Sequence, residues 1–323
     1  MNSIGSIQGV HYGALPKLEI PCACCGGRIF RIATRGDRYG FGLTTVVCKQ
    51  CGLIFTNPRP SDEWFKEFYR DHYRKYYEDV AEPDDAYLSR EWIQGRHRRN
   101  VKFLQTLVPR TGALLDVGCA EGTFLHLFQE AFPQWQIQGI EPSSSFSQFA
   151  RQHYGLSTVR TTTFEELDAL PDHSFGLITV NHVLEHLLDP NFLFSRVRRL
   201  LAPDGLLFID VPDSEGTAAG LWRLHIGHVY HFTEPTLRNF LAKHGFDHVA
   251  TARGDENPRP WTLQVLARVG PRLPSNWQAA AVDDGAIARN FARLCHRTFY
   301  KRMRRRLSRM KSLILSGTGK STS

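Results

Sequence analysis

The chain has 323 residues, 42% apolar and 22% charged, with 17 Pro and 26 Gly, which is enough for one large globular domain with an appendage and excludes a disordered, collagenous or heptad-driven chain. Its formal charge of +8 is concentrated at one end: eleven Lys and Arg and no acidic residue fall within 285–323, so residues 1–284 carry a net −3. A mildly acidic body argues against a nucleic-acid groove across it. No apolar run reaches the roughly 18 to 20 residues of a membrane span. Residues 1–17 show neither a basic nor an apolar leader region, so a flexible start and a cytoplasmic location are expected. There, seven Cys are expected as thiols or metal ligands and not as disulfides.

Within 18–59, Cys22 and Cys25 form one C-x-x-C and Cys48 and Cys51 a second, with Gly26 and Gly52 following the second Cys of each pair. Each pair sets two thiolates on one tight turn, and four such thiolates close a tetrahedral site, for which structural zinc is the expected metal. A closed four-Cys site has no open coordination position, so the ion is expected to support folding. Between the pairs, RIFRIATR and LTTVV alternate like the strands of a hairpin, giving a zinc ribbon. Cys24 is an alternative ligand in place of Cys22 or Cys25. A redox pair or loose buried thiols are the other readings, disfavoured by the doubled spacing.

Residues 60–105 read as helical and aromatic: Trp64, Phe65, Phe68, Tyr69, Tyr73, Tyr76 and Tyr77 fall near helical spacing, as a packed face or a lid over the next domain. From residue 106 to 272, strands alternate with helical stretches, which predicts an α/β, Rossmann-like doubly wound sheet of seven strands. The predicted strands are ALLDVG, WQIQGIEP, a short one near LSTVR, FGLITVNHV, GLLFIDVP, and two more near 246–251 and 262–269. Ligands of such sheets bind at the carboxyl ends of the strands. Asp116, Gly118, Ala120 and Gly122 form D-x-G-x-x-x-G after the first strand, a small-residue loop that a ligand can approach closely. The loop lacks both the dinucleotide G-x-G-x-x-G and the Lys of a P-loop. Glu141 ends the second strand, 19 residues after Gly122, where it can accept hydrogen bonds from ribose hydroxyls. A nucleoside without pyrophosphate, such as S-adenosylmethionine, fits this pattern.

LDVGCAEGTF, GIEPS, NHVLEHLLDP, LLFIDVP and HVYHFTEPTLRNFLAKHGF together resemble the successive motifs of class I S-adenosylmethionine-dependent methyltransferases, over roughly 95–270. With the ribbon and the following CGLIFTNPRP, the chain resembles a narrower group that modifies sugars in secondary-metabolite and cell-surface glycan pathways. The resemblance implies that Asp116, Gly118, Ala120 and Gly122 line the cofactor's methionine and ribose and that Glu141 holds the ribose. It also implies that Thr163 and Phe164 flank the adenine and that Asn181 and His182 lie beside the sulfonium.

Methyl transfer to a neutral hydroxyl requires alignment and a base. NHVLEHLLDP offers His182, Glu185 and His186, and HIGHVYHFTEP offers His225, His228, Tyr230 and His231. Related nucleotide-sugar C-methyltransferases carry a Tyr-x-Glu-His segment. Aligned on Phe232, its His falls at His228, its Glu at Gly227 and its Tyr at His225. The departure favours O-methylation of a sugar or glycan, with His228 as the leading base and His182 or His186 next. Within 273–323, residues 286–315 read as one basic amphipathic helix, expected either to pack on the body or to contact an anionic membrane surface. Two alternatives remain open at this point: an RNA methyltransferase, and a catalytically silent cofactor-binding protein in a glycan-assembly complex.

Overall fold

The computed structural model describes residues 12–73, 82–215, 224–253, 262–271 and 277–295. Two sheets organise the chain. In the smaller, β1 (Phe30–Arg35) and β2 (Thr44–Cys48) form the expected hairpin, with Phe30 opposite Cys48, and β3 (Ile54–Thr56) pairs antiparallel with β2. Its fourth strand comes from far along the chain: β9 (Tyr230–His231) pairs with β3, His231 opposite Ile54. Nothing in the sequence pattern marks a two-residue strand, and its pairing is a purely tertiary choice.

The larger sheet contains β4 (Gly112–Val117), β5 (Trp135–Glu141), β6 (Val159–Thr161), β7 (Phe175–Asn181), β8 (Leu201–Pro212), β10 (Phe246–Arg253) and β11 (Thr262–Val269). The order is β10-β11-β8-β7-β4-β5-β6, and the five strands from β8 to β6 run parallel while β11 is antiparallel to both neighbours. The chain starts at β4, winds outward to β6, then returns to β7 on the other side of β4. That reversal opens a crevice at the carboxyl ends of β4 and β7, where sheets of this class take ligands.

Helices cover both faces. They are α1 (Asp62–Asp71), the short α2 (Asp85–Leu88), α3 (Glu91–Leu104), α4 (Thr123–Ala131), α5 (Ser144–His153), α6 (Pro190–Leu200), α7 (Glu234–Lys243) and α8 over 284–295. Local chemistry sets their starts. Ser61 Oγ accepts the Trp64 amide at α1, Asp189 precedes Pro190 and caps α6, and Thr233 and Thr236 form a reciprocal capping box on α7. Leu193, Phe194, Val197 and Leu200 place one helical stripe of α6 in the core.

One buried cluster runs from Cys22, Val46 and Phe55 of the small sheet through Val117, Ile178 and Ile209 of the large sheet to Phe232 and Phe240. The ribbon segment is therefore continuous with the α/β core. Of the two expectations for the C-terminal helix, its described part follows packing on the body. Ala288, Phe291 and Cys295 are buried against Val47, Ile54 and Leu224, and Arg31 Nε donates to Asp284 Oδ2 at 2.7 Å. The apolar stripe over 287–295 is thus occupied by the small sheet and is not open to a membrane surface. Residues 296–315 of the expected helix lie outside the described residues.

Candidate active site

Asp116 ends β4 almost fully buried, and its Oδ1 accepts from Thr179 Oγ1 (2.6 Å) and Asn181 Nδ2 (2.9 Å) on β7. Burial lifts its pKa to about 7, against the pull of those two hydrogen bonds. The loop after it needs left-handed backbone at three places: Gly118 (φ 76°), Ala120 (φ 49°) and Gly122 (φ 86°). Gly supplies two of these without a steric penalty, whereas Ala120 holds a conformation that L side chains rarely adopt. A Cβ at Gly122 would meet Ala150 and Leu156 within 3 Å, so that glycine also lets α4 pack against α5.

Glu141, at the end of β5, faces this loop. Its Oε2 accepts the Ala120 amide at 3.1 Å and its Oε1 the Ser143 amide at 2.9 Å. Thr162 N–H donates to the Glu141 carbonyl at 3.1 Å, which sets Thr163 and Phe164 just beyond Glu141 at the start of a 3-10 turn. Asp116, Gly118, Ala120, Gly122, Glu141, Thr163, Phe164, Asn181 and His182 thus belong to consecutive strand ends on one edge of the sheet.

Asn100, on α3, escaped the sequence reading. It is fully buried; its Nδ2 donates to Asn181 Oδ1 and Asp210 Oδ2, both at 2.9 Å, and its Oδ1 accepts from Gln264. A polar residue on the apolar stripe of Ile93, Val101 and Leu104 was the available signal. Through Asn100, α3 ties the ends of β7, β8 and β11 together.

The two histidine groups do converge. His182 follows β7 in the left-handed region (φ 54°); its amide donates to the Asp210 carbonyl at 2.7 Å. Its Nδ1 lies 3.2 Å from Glu185 Oε1. His186 Nε2 and His228 Nε2 lie 3.9 Å and 4.0 Å from the same Glu185 oxygen, and the Glu185 side chain is 1% exposed. The His186 and His228 ring centroids are 4.7 Å apart, and those of His225 and His228 3.9 Å. Burial holds His225 and His228 well below the usual imidazole pKa, so both are neutral near pH 7. Accessibility separates the three candidate bases: the His182 side chain is 23% exposed, His186 17% and His228 6%.

The aromatic helix reaches this cluster. Tyr69 Oη donates to the Gly227 carbonyl at 2.6 Å, Tyr73 Oη approaches His186 Nε2 to 3.3 Å, and His186 Nδ1 meets the Gly227 carbonyl at 2.8 Å. A Cβ at position 227 would lie 2.7 Å from the Tyr73 ring. No carboxylate side chain fits at 227 while Tyr73 holds this position.

At the ribbon, the Cys22, Cys25, Cys48 and Cys51 sulfurs all lie within 4.8 Å of one another, with Cys22 to Cys51 at 3.4 Å and Cys25 to Cys48 at 3.5 Å and no disulfide. Gly26 (φ 75°) and Gly52 (φ 74°) turn the two knuckles, and their amides donate to the Cys22 and Cys48 carbonyls. Hydrogen bonding from the Cys22 thiol draws Cys25 down to about 7. Four soft donors converging on one point fit a tetrahedral thiophilic cation. Cys24 is buried but lies outside the quartet.

Comparison with known proteins agrees with this architecture. A family model described as "Methyltransferase domain" matches residues 89–251. Trans-aconitate 2-methyltransferase of Acidovorax ebreus is 30% identical over 131 residues, covering 40% of this chain and 50% of that protein. The ubiquinone biosynthesis O-methyltransferase of Neisseria meningitidis is 28% identical over 100 residues, 29% of this chain and 42% of its own. The chain thus spans about half the length of the curated relatives it matches. Among solved structures, the Burkholderia thailandensis 1,6-didemethyltoxoflavin-N1-methyltransferase, crystallised with its substrate and S-adenosylhomocysteine, shares the fold at a TM-score of 0.52. It is 20% identical, and the match covers 68% of this chain and 96% of that one. With the family model matching half of its length, the strand order above and the glycine loop at the switch point, the chain belongs to the methyltransferase domain family and has the class I, Rossmann-like methyltransferase fold.

Proposed function

We propose that this protein methylates a hydroxyl oxygen of a small-molecule acceptor, a sugar or glycan unit, using S-adenosylmethionine. The observation that carries the reading is the juxtaposition of two groups on one sheet edge. One is the Asp116–Gly122 loop, whose Ala120 amide donates to Glu141; the other is His182, whose Nδ1 lies 3.2 Å from the buried Glu185. Asp116, Gly118, Ala120, Gly122, Glu141, Thr163, Phe164 and Asn181 would hold the cofactor, which when bound supplies an electrophilic methyl on a sulfonium. With Nδ1 turned to Glu185 at 3.2 Å, His182 would use Nε2 as the base; Nε2 is itself buried, 3.8 Å from Asp210 Oδ2, so an acceptor reaches it only when that side of the ring opens. His182 would take the proton of the acceptor hydroxyl, whose oxygen would receive the methyl that the bound cofactor supplies. His182 is the more open imidazole, so it replaces His228 as first choice.

Two features support oxygen over carbon as the acceptor atom. The Tyr-x-Glu-His pattern of sugar C-methyltransferases is missing, and Tyr73 occupies the space its carboxylate would need. Relatives named for trans-aconitate and ubiquinone methylation are consistent with small acceptors. The sugar class itself rests on resemblance to ribbon-bearing sugar methyltransferases. The thiol quartet would hold a structural zinc ion through Cys22, Cys25, Cys48 and Cys51.

The test is transfer of labelled methyl from S-adenosylmethionine into a host extract separated into nucleotide-sugar, lipid-linked glycan, RNA and protein pools. Label in a sugar pool, lost on His182→Ala with cofactor affinity retained, is the expected result. Label in RNA would overturn the acceptor class, and cofactor binding with no label in any pool would overturn catalysis itself.

A further inference from the structure

Glu185, His186 and His228 come from two distant segments, yet each offers one ligand atom, and these atoms lie within 4.8 Å of one another. Glu185 and His228 are buried, and His186 is half-buried. Ordinary ligand distances of about 2.0 to 2.2 Å for nitrogen and oxygen place paired ligand atoms about 3 to 4.2 Å apart around one ion. The observed separations from Glu185 Oε1, 3.9 Å to His186 and 4.0 Å to His228, are a few tenths of an ångström wider than the roughly 3.4 Å of a tetrahedral pair, so the three side chains would close in slightly on an ion. The tautomer of His186 also fits. Its Nδ1 meets the Gly227 carbonyl at 2.8 Å, so Nδ1 carries the proton and Nε2, the nitrogen facing Glu185, carries the lone pair. An imidazole fixed by a backbone carbonyl through its far nitrogen is the usual outer support of a metal-ligating histidine. His182 braces the same carboxylate from the other side at 3.2 Å.

We propose that Glu185, His186 and His228 form a second metal centre, a two-imidazole, one-carboxylate site for a divalent transition cation at the acceptor edge of the sheet. Three protein ligands leave coordination positions open, unlike the closed thiol quartet, and an oxygen of the acceptor is the natural occupant. This deepens the methyl-transfer reading, since it makes the acceptor an oxygen donor to a metal and leaves His182, which is not in the ligand set, as the base. Tyr73 Oη approaches His186 Nε2 to 3.3 Å and must give up that contact when an ion binds.

The experiment is equilibrium dialysis of the full-length protein against Zn2+ alone, with bound zinc counted per chain by mass spectrometry. Wild type is expected to hold one equivalent more than Glu185→Gln, His186→Ala or His228→Ala, whatever the quartet holds. Tyr73→Phe and the surface control His126→Ala should keep that equivalent. S-adenosylhomocysteine binding by each variant checks folding and tests the methyltransferase reading separately, because Asp116 and Glu141 are untouched. Should the three ligand variants fail to fold, pulsed EPR of Mn2+-loaded wild type decides: imidazole nitrogen couplings support the site, and bound Mn2+ without them overturns it. Equal zinc stoichiometry in wild type and all three folded variants also overturns it.

Discussion

Asp116 is a carboxylate removed from water at the end of a central strand, and burial lifts its pKa from the ordinary 3.8 to about 7. A native pKa above the unfolded one means that the folded chain holds a proton that the unfolded chain releases between about pH 4 and 7. Its contribution is therefore fully present below about pH 4 and is lost as pH rises through 7. Thermal melts should show wild type losing stability relative to Asp116→Asn between about pH 4 and 7; parallel profiles would remove the assignment. Glu141 accepts two amides that shape the cofactor loop. Hydrogen bonds to charged groups are worth about 1.5 to 3 kcal/mol, so Glu141→Ala should raise the Kd for S-adenosylhomocysteine by roughly tenfold or more by calorimetry. His182→Ala should lower kcat by about a hundredfold, the usual worth of a general base, with that Kd unchanged. The sequence displayed all three residues, but it could not rank the histidines. His182, His186 and His228 look alike in composition, and their exposures differ through tertiary packing: Tyr73 and the Gly227 carbonyl meet the His186 ring, and His228 is packed among His186, His225 and His231.

The elements that carry these residues were largely legible. The central strands β4, β5, β7, β8 and β11 follow apolar runs, because strands buried on both faces must read as largely continuous hydrophobic stretches. The ribbon hairpin followed from alternation. What escaped was Asn100 on α3 and strand β9, since both depend on partners more than 80 residues away. Asn100→Ala would leave Asp210 and Asn181 without their shared donor. Loss of a buried hydrogen-bond partner costs about 1 to 3 kcal/mol, so chemical denaturation should show destabilisation of that order. Gly52→Ala faces two penalties: its φ of 74° is left-handed, and a Cβ there would lie 2.4 Å from Val282 and 2.7 Å from Ile287, just before and within α8. It should lower Tm by several degrees, because about 1 kcal/mol shifts Tm by roughly 2 to 4 °C in a chain of this size.

At the scale of the molecule, the small sheet and the large sheet share a core, and the small sheet's fourth strand, β9, comes from the chain between β8 and α7. β9 lies between His228 and the capping box of α7; among the described residues its strand partner is β3 of the ribbon, and Tyr230 Oη also donates to the Leu188 carbonyl. If the quartet holds the zinc proposed above, its removal by chelation or by Cys51→Ser should lower Tm and also loosen the His228 segment. Hydrogen exchange should show the amides of 228–232 losing protection together with those of 44–56; exchange confined to the ribbon would contradict this coupling. The basic end carries the strongest charge signal in the sequence, and in its described part α8 packs its apolar stripe on the small sheet.

By itself the sequence determined the fold class, the glycine loop, the acidic strand end and the four thiols. Each of these is written in local spacing: backbone period, turn conformation and ligand separation act over a few residues. Tertiary structure alone decided that the ribbon lends its sheet to the α/β domain, that an aromatic helix closes over the histidines, and that Glu185, His186 and His228 face one point. Those outcomes depend on burial and on side chains meeting across more than 40 residues of chain, and local spacing holds no record of such distances.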